Sequence, residues 1–198
     1  MRKAPYIAAM VLIVALFITG QRYAPDSRYV EAVSTILTII AAVAFWMEFR
    51  SNERINEAQL IMELNNQFIS NPQFAFVELE LEKYYLAYEE AAKNGSNIQN
   101  IVFGIDLGVF DERRQSLINY LVYLEGVAAL INEGVLHLNV ITNLMAYRYF
   151  IAVNNPIVQE KELLPFREYY KGIFSIYKKW DKVLGDGKTP MEEKALVK

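Results

Sequence analysis

The stretch DSRYVEAVSTILTIIAAVAFWMEFRSNERINEAQLIMELNNQFISN, residues 26–71, decides the architecture, because it is interrupted by neither Gly nor Pro. With no helix breaker in it, the pattern predicts one continuous rod. Some 40 helical residues at about 1.5 Å each span about 60 Å. Its first part, Ala32–Met47, is 16 residues without a charge, extended by Tyr29 and Val30 across Glu31. That is close to one bilayer crossing, at the short end of the range. The second part changes character. Ile55, Ala58, Met62 and Ile69, with Ile61 and Phe68, form an apolar stripe of helical period, the signature of a helix with one face in a core. Ser70-Asn71-Pro72 ends it.

Toward the N-terminus, Ala4–Gly20 is another uncharged run, 17 residues long and preceded by Arg2 and Lys3. Two apolar segments joined by Gln21–Arg28, which contains Pro25 and Asp26, predict a transmembrane hairpin over residues 1–48, with helices at about 4–20 and 29–47. The competing reading of the first segment is a signal peptide. No convincing small-x-small cleavage site follows it, and the second apolar segment begins within about ten residues, which favours the hairpin. Arg2, Lys3, Arg50 and Arg54 on one side outnumber Arg22 and Arg28 in the loop, which places both termini in the cytoplasm. Tyr6, Tyr23, Tyr29 and Trp46 fall where interfacial aromatic rings belong. Ser34, Thr38 and Ala42, spaced by four, give the second helix a small-residue face that permits close helix approach in lipid. That face serves either the hairpin itself or an interface between copies in a homo-oligomer.

Composition agrees with a chain of two parts. Apolar residues make up 54% overall, but 33 of the first 50 residues against 73 of the other 148, about 49%. Residues 49–184 therefore read as one domain large enough to bury its own core. The domain is acidic: residues 51–160 carry 6 Lys/Arg and 14 Asp/Glu, whereas 161–198 carry 9 and 6. An acidic balance argues against a broad nucleic-acid surface. A small basic face around Lys171, Lys178, Lys179 and Lys182 is left, whose default reading is a solvated helix face.

Periodicity predicts an all-α bundle of about five helices. After the rod come helices at about 73–93, closed by Asn94-Gly95-Ser96, from Asp111-Glu112 to Gly134, at about 139–153 before Asn154-Asn155-Pro156, and at about 165–184. Residues 185–198 read as a polar tail. Residues 94–110, NGSNIQNIVFGIDLGVF, form a long but apolar loop. It either tucks onto the core or offers Ile101, Val102, Phe103 and Asp106 to a partner.

The motifs of common chemistries are missing or incomplete. No Cys excludes disulfides, thiolate nucleophiles and Cys-bound metals. His137 is the only histidine, which excludes His-rich metal sites and Ser-His-Asp triads, and it reads as a turn or capping residue. Gly187-Lys188-Thr189 lacks the earlier glycine, strand and helix of a P-loop. Glu78, Glu82, Glu89 and Glu90 share a helix without the matching cluster of a di-metal bundle. The expectation is a protein without enzymatic activity, cofactor or metal. Glu125, on an otherwise apolar helix face, wants a partner if buried. A helical hairpin turning near residue 136 predicts an ion pair with Arg148.

The run Leu117–Ala128, with Leu130-Ile131, Gly134-Val135-Leu136 and Arg148-Tyr149-Phe150, resembles a bacterial family of small membrane-anchored helical proteins whose domain has no assigned chemistry. The resemblance covers about residues 50–182 and implies a bacterial inner-membrane protein with a cytoplasmic helical domain. In architecture the chain is also similar to the accessory membrane protein of type VI CRISPR systems, a HEPN-like oligomer, which implies pore formation. HEPN-type ribonucleases pair Arg with a His four to six residues later. Here Arg148 is followed by Asn154, which cannot shuttle a proton near neutral pH. The small-residue membrane face, the continuous rod and the absence of catalytic groups together point to an oligomeric effector or scaffold, with a degenerate RNA-binding or RNA-cleaving domain and a monomeric adaptor as alternatives.

Overall fold

A computed structural model of the chain describes residues 14–15, 18–19, 22–23 and 28–184. Every regular element among them is helical, so the protein is all-α. The expected first membrane helix at about 4–20, the turn after it and the 185–198 tail lie outside the described residues, apart from three helical pairs at 14–15, 18–19 and 22–23. The chain divides into two compact units, with the boundary in sequence between Asn56 and Glu57.

The Gly- and Pro-free stretch forms one helix, α1 (Arg28–Ser70). It is the one described helix long and apolar enough to cross a membrane, and none of its apolar window is buried. In the second unit, its last turns carry Phe68 into the core. Asn71 then caps α2 (Pro72–Asn94) by accepting the Gln73 N–H at 3.0 Å, with Pro72 in the first turn where its missing N–H costs nothing. Asp111 does the same for α3 (Glu112–Asn132), accepting from Arg114 N–H at 2.8 Å. Gly95 and Gly134 leave α2 and α3 in the left-handed conformation, with φ of 65° and 73°, as the sequence suggests for helix ends.

The helix α4 (Leu138–Val153) follows a short connection, and Asn155 caps the turn after it by accepting from Ile157 and Val158 N–H. The start of the last helix differs from expectation. Residues 156–170 are a succession of short turns, including a π-helical one at Gln159–Leu163 and a 3-10 one at Arg167–Tyr170, and α5 runs only from Lys171 to Leu184. Pro165 marks a break in this succession, and the first N–H groups of α5 are held by another helix, as described below.

The core of the second unit has two aromatic centres. Phe68, Phe74, Tyr120 and Tyr123 meet where α1, α2 and α3 converge, with ring centroids 5.3–5.7 Å apart. Tyr149, Phe150, Tyr177 and Trp180 join α4 to α5, with Tyr149 and Trp180 4.8 Å apart. Centroids at this spacing are the favourable range for aromatic pairs, and the large buried areas make these residues the main stabilising contacts.

Candidate functional site

Polar groups inside the bundle form a chain of local anchors. On α3, Glu125 takes both of its acceptors to the start of α5: one oxygen accepts Gly172 N–H at 2.6 Å and the other accepts Ile173 N–H at 2.8 Å. A carboxylate on the unpaired N–H groups of a helix start satisfies donors the helix cannot, and it meets the positive end of the helix dipole. Gly172 makes this approach possible. A Cβ there would lie 2.7 Å from the Glu125 oxygen and 3.1 Å from the Ala128 Cβ.

Arg148 serves a different cluster. Its Nε donates to Glu78 of α2 at 2.9 Å, its guanidinium lies 4.3 Å from the centre of the Phe68 ring, and Tyr120 Oη donates to its carbonyl at 3.3 Å. Tyr147 Oη donates to Glu82 beside it. Glu125 and Arg148 thus take different partners, which corrects the expected ion pair. The cause is helical phase: Tyr120 is the α3 residue that faces Arg148, and five residues further at 100° each turns Glu125 about 140° away, toward α5.

At the other end of α3, Arg114 Nη2 donates to the Glu162 carboxylate at 3.3 Å, and Tyr170 Oη donates to the same carboxylate at 3.2 Å. Glu162 is buried, and both donors compensate its desolvation. Burial, followed by the neighbouring Glu162, raises the Tyr170 pKa well above the usual tyrosine value. His137 sits at the N-cap of α4, where it makes no side-chain cap; its backbone N–H and Nδ1 both face the Glu57 carboxylate, at 2.7 and 2.9 Å.

The 94–110 loop divides its residues. Phe103 is buried edge-on against Tyr84, Ile105 and Leu107 are buried, and Ile101 is half-buried. Val102 is 86% exposed, and Asp106 turns back to accept Gly108 N–H at 2.8 Å. The apolar residues that argue against disorder are therefore mostly core, and Val102 with Val109 and Phe110 is what the loop presents outside. Ser34, Thr38 and Ala42 lie on α1, remote in sequence from all of these.

The two positions of the ribonuclease-like motif are committed elsewhere. Asn154 is fully buried and accepts from Tyr177 Oη at 2.8 Å, while Arg148 holds Glu78. No group of His, Asp or Glu among the described residues is arranged to hold a metal ion.

No protein-family model matches the chain, and no curated protein or solved structure is significantly similar.

Proposed function

We propose that this chain is a non-enzymatic, membrane-anchored helical protein of the bacterial inner membrane, whose bundle acts in the cytoplasm as an oligomeric effector or scaffold. The observation that supports it is the exposure of α1: Ile36, Ile39, Ile40, Val43, Phe45, Trp46 and Met47 are all largely uncovered. Apolar side chains on both sides of a helix, with no core around them among the described residues, call for lipid as the covering medium. Arg50 closes the segment, its guanidinium 4.4 Å from the Trp46 ring centre, a pairing suited to the headgroup layer. Multi-pass insertion through a second apolar helix and cytoplasmic termini belong to the same proposal, on the Lys/Arg bias of the flanks.

Assembly is supported by the division of α1 into two faces. Ile36, Ile40, Val43 and Met47 fall on one side, and Ser34, Thr38 and Ala42 on the opposite one. The Ser34 and Thr38 hydroxyls donate to carbonyls of their own helix, at 2.8 and 2.9 Å, so close approach of a second helix strands no donor in lipid. Pore formation, the furthest extension of this reading, would use the same face.

Fractionation of bacteria producing the full chain tests the proposal. It predicts recovery in the membrane pellet after a 1 M salt wash, and a detergent-solubilised mass of more than one chain. Recovery in the soluble fraction overturns the anchor, and a strict monomer overturns the assembly.

A further inference from the structure

Resting on the membrane reading above, we infer that the basic face of α5 docks the bundle onto anionic lipid headgroups of the membrane that holds α1. The helix is strongly two-faced. Gly172, Ile173, Ile176, Tyr177 and Trp180 are buried, whereas Lys178, Lys179 and Lys182 are exposed along the opposite side. Lys178 and Lys182 make no ion pair among the described residues, and Lys179 reaches only the Asn132 amide at 3.5 Å. Lys171, at the other end of the helix, is paired with Glu168 at 2.6 Å. The unpaired charge is therefore concentrated in the second half of α5, on a domain whose residues 51–160 carry 6 basic and 14 acidic side chains.

That half of α5 lies at a particular end of the bundle. Ser175 accepts from the Asn132 amide at 2.6 Å, and Trp180 Nε1 donates to Thr142 at 3.0 Å. Asn132 and Thr142 bracket the α3–α4 connection, whose His137 holds Glu57, the first residue of this unit. Glu57 is ten positions after Met47, the last residue of the uncharged run. A chain of ten residues reaches at most about 35 Å, whatever its conformation. The lysines thus lie at the end of the bundle where the chain enters this unit. Membrane-facing lysines attract anionic lipid, and the effect dies within a Debye length of about 8–10 Å at ordinary salt.

Each lysine near an anionic surface is worth about fivefold in partitioning, so the three together shift the docked–undocked equilibrium about a hundredfold. The chain has no cysteine, so the variant Val183→Cys carries a single fluorophore at an exposed position beside Lys182. The labelled full chain is reconstituted into vesicles of phosphatidylcholine alone or with 30% phosphatidylglycerol, each bearing a short-range nitroxide quencher on the headgroup. Docking predicts strong quenching only with the anionic lipid, reversal in 0.5 M NaCl, and loss in K178Q/K179Q/K182Q, whose helical circular dichroism verifies folding. Equal quenching on both lipids, or anionic-lipid quenching that survives the triple substitution, overturns it. Flotation with neutral vesicles separates the two claims: a chain that does not float overturns the anchor and the docking with it, whereas one that floats without charge-dependent quenching overturns the docking alone.

Discussion

Both oxygens of Glu125 are spent on Gly172 and Ile173, so a side chain in the middle of α3 defines where α5 begins. Without that carboxylate two N–H groups at the start of α5 lose their acceptor in a half-buried site, at a cost comparable to one fully formed charge-assisted hydrogen bond.

Glu125→Ala is therefore expected to destabilise the bundle by about 2–3 kcal/mol, an amount that lowers the Tm of a domain this size by roughly 4–10 °C. Glu125→Gln keeps one acceptor and loses the charge, and its Tm lies between the two. Thermal circular dichroism of the full chain in detergent checks the order.

Gly172→Ala pushes a methyl group against Glu125 and Ala128 together. Overpacking of this kind costs about 1–3 kcal/mol. Because Ala128 remains in the way, adding Glu125→Ala does not restore stability. Full recovery in the double variant would show that the carboxylate alone sets the α3–α5 distance.

Arg148 and Glu78 form the principal polar link between α4 and α2. Arg148→Ala removes the ion pair and the contact with Phe68, and leaves Glu78 half-buried without its cation. A loss of about 2–3 kcal/mol is expected, with a coupling of about 1–2 kcal/mol to Glu78→Ala in a double-mutant cycle. A stability unchanged by Arg148→Ala would instead leave the arginine available for a surface role.

Buried phenols give the bundle an alkaline limit. Burial holds Tyr120 and Tyr149 well above the usual tyrosine value and raises Tyr123 to about 12, with nearby Arg148 pulling the last down only in part. A phenol whose pKa is raised on folding contributes stability that is complete below the unfolded value near 10 and is lost as pH climbs through the folded value. Stability is expected to be insensitive to these groups up to about pH 10 and to fall between about pH 10 and 12. Phenolate absorbance and circular dichroism followed together show this: ionisation of the buried set accompanies unfolding instead of preceding it.

The helix ends were legible in the sequence wherever a local chemical signal sits at the boundary. Asn71-Pro72, Asn94-Gly95, Asp111 and Asn155-Pro156 each mark an end within a residue or two, because capping uses neighbours in sequence. The start of α5 was not, since its decisive acceptor, Glu125, is 47 positions away. Arg148 went to Glu78 for the same reason: periodicity says that a charged residue on an apolar helix needs a partner, but helical phase and the third helix decide which one. The loop at 94–110 is the intermediate case, where Ile101 and Phe103 signalled order while only packing could tell Phe103, which is buried, from Val102, which is not.

The central claim is that residues 32–47 lie in lipid, and labelling of single cysteines in open membrane fragments tests it most directly, because the chain has none of its own. Cysteines replacing Ile36, Ile40 and Val43 are expected to resist a water-soluble maleimide until the membrane is dissolved, while cysteines replacing Asn52 and Asn56 react at once. Rapid labelling at all five positions in intact membranes would contradict the account.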